Sequence, residues 1–226
     1  GTGSDEGLSM PYYNVIEFSG TNLPSLNVPD LGGATGVRDT PSMVFNSGGT
    51  IDLALVGRED CFWSNSGTRD VWTIGDGIGG GNEDVTVNLT MAGKDLSRHA
   101  GGHNSFIVNS DGTFNITAGD WLDFAYTDNS RTSSFTIDGG TVVVNDSIDG
   151  LADFPGSSVE FTAEDGTFTA QYGRDFANIA AVRSSLGTDF VDSVGEPKAY
   201  IRARDNGNNT FTVTVRRDQG LVIQIN

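Results

Sequence analysis

Apolar and polar residues alternate strictly along much of the chain. Val85, Val87, Leu89 and Met91 alternate with Thr86, Asn88 and Thr90. Ile51, Leu53 and Leu55 alternate with Asp52 and Ala54. Phe211, Val213 and Val215 alternate with Thr210, Thr212 and Thr214. A period of two turns one set inward and the other outward, as in a half-buried strand. The wealth of Val and Thr suits a pleated surface.

The strands share a local grammar. Copies run from Ser42 to Leu53, Ser105 to Ile116, Ser134 to Val144 and Val159 to Ala170. A degenerate copy runs from Val71 to Val85, and another surrounds Asp205-Asn206-Gly207 and Thr210. In each, a short apolar strand ends and Asp or Asn starts a turn. Gly is expected to supply a positive φ, and Thr opens the next strand. Gly112, Gly140 and Gly166 are 28 and then 26 residues apart by subtraction. That range predicts an all-β fold of stacked coils, a parallel β-solenoid (β-helix). Hairpin turns of a β-sandwich or jelly roll would use the same Asp-Gly pairs and are the alternative.

One segment departs from this pattern. Asp175 to Gly187 predicts a short helix, with Asp175 as N-cap and Gly187 just past the end. Phe176, Ile179, Val182 and Leu186 fall on one face. Strands are expected afterwards at 198–204, 210–216 and 221–225. Helix and strands together read as a C-terminal cap over an open edge, covering about 168–226. Tyr12 to Phe18 reads as a strand, and 19–40 as a loop. Residues 1–40 are therefore expected to form an N-terminal cover, and 41–226 the β-repeat domain. Gly1-Thr2-Gly3-Ser4 reads as a trimmed or added end, and no leader peptide is visible.

Composition narrows the function. The net charge is −17 over 226 residues, with 31 glycines. An acidic surface repels phosphate backbones, so nucleic acid is not an expected partner. No apolar run is long enough for membrane insertion as a helix. Cys61 is the one cysteine, so no intrachain disulfide can form.

The repeats resemble those of secreted bacterial proteins of the PEP-CTERM and autotransporter-associated β-repeat type. The best match is Ser134-Phe135-Thr136-Ile137-Asp138-Gly139-Gly140-Thr141-Val142-Val143-Val144, with weaker ones at 42–53, 105–116 and 159–170. Phe168 to Val215, with Phe176-Ala177-Asn178-Ile179 and the final Thr-rich strand, is similar to the closing module of such proteins. The resemblance spans roughly 42–216. It implies a right-handed parallel solenoid and an extracellular or cell-surface location. It brings no common active site.

Candidate chemistry is sparse. Asp111, Asp138, Asp165 and Asp205 precede turn glycines, and Asp76 holds a similar place. If coils stack, such aspartates would form a ladder about 4.8 Å apart, for which Ca²⁺ is the candidate cofactor. Turn-forming Asp side chains that cap backbone amides are the simpler reading. His99 and His103, with Asp95, could hold one metal in a loop; solvated histidines explain them as well. Arg98 beside His99 also suits a polysaccharide lyase. Gly75, Gly77 and Gly80 match a dinucleotide fingerprint in letters only, since no helix follows. Phe62, Trp63, Trp121 and Tyr126 are candidates for stacking on a glycan.

The expectation is a non-enzymatic extracellular or surface protein, structural or adhesive, whose partner is a second copy of itself (a filament or a layer) or an extracellular polysaccharide. The alternatives are a glycan-binding sandwich module and a lyase-like enzyme.

Overall fold

A computed structural model describes residues 15–18, 26–28, 42–46, 48–55, 69–77, 84–91, 93, 96, 103–124, 132–152, 156–195 and 199–217. The first strands are β1 (Val15–Phe18), β2 (Leu26–Val28), β3 (Ser42–Phe45), β4 (Gly49–Leu55), β5 (Arg69–Ile74) and β6 (Val85–Met91). Then come β7 (His103–Asn109), β8 (Gly112–Thr117), β9 (Trp121–Asp123), β10 (Thr132–Asp138) and β11 (Thr141–Asp149). The chain continues with β12 (Ser158–Ala163), β13 (Thr167–Gln171), helix α1 (Ile179–Ser184), β14 (Phe190–Asp192), β15 (Ala199–Asp205) and β16 (Thr210–Arg217).

The strands form two sheets. Sheet one has the order β1-β3-β5-β7-β10-β12-β14. Sheet two has the order β15-β16-β13-β11-β8-β6-β4-β2, with β9 beside β11. The chain crosses from sheet one to sheet two at each repeated turn. Pairing is parallel throughout sheet one, and in sheet two up to β13. This is a parallel β-solenoid, and the sandwich alternative falls away. Only β13–β16 and β15–β16 are antiparallel among these strands. They reverse the chain direction after β13, and β15 is the outer strand of sheet two among the described residues.

Alternation places the core. Along β6, Val85, Val87, Leu89 and Met91 are buried while Thr86, Asn88 and Thr90 are not. An aromatic spine follows the stacking direction. Trp72, Phe106 and Phe135 are register partners on adjacent strands. The rings of Phe106 and Phe135 stack at 4.8 Å between centroids. Phe168, Phe190 and Phe211 carry the spine to the cap. Each fully buried ring contributes up to about 3 kcal/mol of burial.

The repeated glycine has a different cause from the one expected. Thr113, Thr141 and Thr167 share a register, so Gly112, Gly140 and Gly166 stack. None of these three has a positive φ; the left-handed residues in the last two turns are Gly139 (φ 82) and Asp165 (φ 64). A Cβ on Gly140 would lie 2.8 Å from the Val108 carbonyl oxygen, and one on Gly166 would lie 2.8 Å from Ile137 Cγ2. The stacked glycine is there because the neighbouring coil leaves no room for a side chain.

Two further expectations are corrected. The helix is shorter than read: α1 spans Ile179–Ser184 and is capped by Asn178, whose Oδ1 accepts from the Ala180 and Ala181 amides. The apolar face was right, with Phe176 and Val182 buried and Ile179 and Leu186 packed against the core. The stretch 19–40 also contributes a strand, β2, which pairs with β4. The expected strand at 221–225 lies outside the described residues.

Candidate functional site

The outward positions of sheet two form an ordered array. Thr50, Thr86, Thr113, Thr141, Thr167 and Thr214 are register partners across β4, β6, β8, β11, β13 and β16. Neighbouring strands lie about 4.8 Å apart, so six hydroxyl-and-methyl groups repeat at that interval. Thr50 is exposed and the others are half-buried.

A second row runs parallel, two residues along each strand. It carries Asp52, Asn88, Asn115, Val143, Thr169 and Thr212. Its side chains are tied together. Asn115 Nδ2 donates to Asn88 Oδ1 at 2.8 Å, and Asn88 Nδ2 donates to Asp52 Oδ1 at 2.7 Å. At the other end the Thr169 and Thr212 hydroxyls lie 2.9 Å apart. In a third row, Asn145 Nδ2 donates to Thr117 Oγ1 at 3.0 Å. From β4 to β16, Asp52 is the one charged side chain on the first two rows; on β15 the rows continue to Arg202 and Arg204.

The candidate metal ligands sit in the turns and at strand ends, and only Asp76 and Asp111 are shown in contact. Asp111 takes the amides of Asp76 (3.1 Å) and Gly77 (3.0 Å), and so fixes the turn of the preceding coil. Asp138 is in register with Asn109 and Ala163, not with another aspartate, and accepts from Thr162 Oγ1 at 3.0 Å. Asp165 meets Arg216 Nη1 at 2.7 Å on the exposed surface. Asp205 accepts from the Gly207 amide at 2.8 Å. Among the described residues, no three His, Cys, Asp or Glu side chains are grouped to hold a metal. His103 opens β7, in register with Arg69 and Thr132. His99, Asp95 and Arg98 lie outside the described residues.

Of the aromatic candidates, Phe62, Trp63 and Tyr126 also lie outside the described residues. Trp121 begins β9 and is half-buried. The Arg174 guanidinium sits 3.3 Å from its ring centroid and also reaches Asp149 Oδ2 at 3.3 Å. One face of this ring is therefore occupied by a cation that reaches across from two coils further on.

Asp175 is a half-buried anchor that the sequence suggested only as a helix cap. Its carboxylate accepts from the Gly150 (3.3 Å), Leu151 (2.8 Å) and Ala152 (3.2 Å) amides. Burial raises its pKa above the ordinary value, and the nearby Asp149 charge adds to that; the three amides pull the other way.

The threonine array was half visible in the sequence. Thr follows each stacked glycine, and it reads simply as a strand opener until register aligns the copies. No family model, curated protein or solved structure matches the chain. No described helix is long and apolar enough to cross a membrane.

Proposed function

We propose that this chain is a non-enzymatic extracellular or cell-surface protein of adhesive or structural type, which attaches through the outward face of sheet two. The unbroken row of six threonines supports this reading most strongly. A row in register offers a threonine at every step, with the Thr167 hydroxyl donating to Thr141 Oγ1 at 3.3 Å and the Thr214 hydroxyl to the Gly166 carbonyl at 2.8 Å. That suits an extended, repetitive partner rather than a small substrate. The antiparallel pair β15–β16 and helix α1 shield the last coil, which favours contact through the sides over growth from this end.

The test is retention on immobilised copies of the chain, on insoluble polysaccharides and on ice. Wild-type protein is compared with a Thr113→Lys/Thr141→Lys variant. At least one surface should hold the wild type and release the variant. The reading fails if no surface distinguishes them, or if the chain turns over a uronic-acid polysaccharide.

A further inference from the structure

We infer that the partner of the threonine face is the surface of ice. The inference rests on the adhesive reading above and names its partner.

The geometry is a two-dimensional grid. Strands lie about 4.8 Å apart, and alternate residues along a strand lie about 6.6 Å apart. Each Thr presents a hydroxyl and a methyl whose orientation is restricted by branching at Cβ. The adjacent row is held by the Asn115–Asn88–Asp52 hydrogen bonds. Side-chain ladders of this kind favour a flat sheet over a twisted one. Water over such a face has hydroxyl partners at regular intervals and methyl groups between them. It can take up a repeat close to that of hexagonal ice before the crystal arrives.

Charge selects the same partner. The chain carries a net charge of −17, yet from β4 to β16 the first two rows hold one charged group, Asp52, already bonded to Asn88; on β15 the rows end in the exposed Arg202 and Arg204. A charged group orders water around itself and cannot merge into a neutral lattice. The patch of these two rows from β6 to β16, uncharged in an otherwise acidic chain, is complementary to an uncharged solid. It offers nothing to a cationic polymer, and the surrounding acid repels an anionic one. The rows also carry no aromatic ring, so a sugar would find no stacking plate.

The experiment uses the full chain. Freezing-point hysteresis, crystal shape and inhibition of ice recrystallisation are measured for the wild type, Thr113→Lys/Thr141→Lys and Thr136→Lys. Thr136 is half-buried on the outward side of sheet one and serves as the control. Circular dichroism and melting establish that each variant is folded. If the lysine pair does not fold, Thr113→Ser/Thr141→Ser replaces it, removing only the methyl groups. Wild type and control should shape ice and arrest recrystallisation, and the double variant should lose both effects. A wild type without either effect overturns the inference, as does a folded double variant that matches it. Retention on a polysaccharide without any effect on ice overturns the inference and leaves the adhesive reading standing.

Discussion

Asn115 donates its side-chain amide to Asn88, and Asn88 repeats the gesture toward Asp52 one strand further on. The three residues lie on β8, β6 and β4 at one register position. Asn88 is both acceptor and donor, so its removal breaks two bonds at once. Asn88→Ala should cost about 1–2 kcal/mol in urea denaturation. Asn88→Asp should cost more at neutral pH, because it sets a second carboxylate beside Asp52.

Asp175 makes a pH-dependent prediction. Its folded pKa lies above the ordinary 3.8, chiefly through burial. Asp146 shifts the same way, by burial first, with Asp120 adding and the Ala118 amide opposing. In the window between the ordinary and raised values, the folded chain binds more protons than the unfolded one. Their contribution to stability is therefore full below that window and falls as pH rises through it. Asp175→Asn should flatten this slope in denaturation midpoints measured across acidic pH. Asp175→Ala strands three amides and should cost about 1–3 kcal/mol at any pH.

The stacked glycines can be separated from the turn glycines by mutation. Gly140→Ala forces a methyl into the backbone of the neighbouring coil and should cost about 3 kcal/mol. Gly207 has φ 79 in the β15–β16 turn, with open space around it. Gly207→Ala should cost only the backbone strain, about 1 kcal/mol. Equal losses in thermal melting would contradict the packing role assigned to Gly140.

Arg174 covers Trp121 and bridges to Asp149 across exposed surface. Arg174→Ala should cost no more than about 1 kcal/mol. In a Trp63→Phe background it should also raise acrylamide quenching of tryptophan fluorescence, since Trp72 is fully buried and cannot respond. Unchanged quenching would mean that Arg174 does not shield the ring in solution.

The fold was legible because its main signal is local. Each alternating segment commits one face to the core, and β6 and β16 follow their patterns residue by residue. The turns were legible too, from Asp, Asn and Gly. Register was not, because it is fixed between coils distant in sequence. Asp138 illustrates the loss: by motif it matches Asp111 and Asp165, but by pairing it matches Asn109 and Ala163. Asp175 was misassigned for the same reason. It has the chemistry of a cap, and only the structure shows which amides it caps. The threonine row hid in plain sight, since a strand-opening Thr becomes a surface only when its copies align.

The reversal at β13–β16 has a consequence for how such a chain could lengthen. Every coil before it offers the same parallel edge to the next, while β16 runs the other way and accepts β15 as its last neighbour. A duplicated coil inserted ahead of β13 would add one more threonine to the row and leave the terminus untouched. The number of coils is thus a free variable, and the antiparallel pair is the full stop that lets the sentence before it be any length.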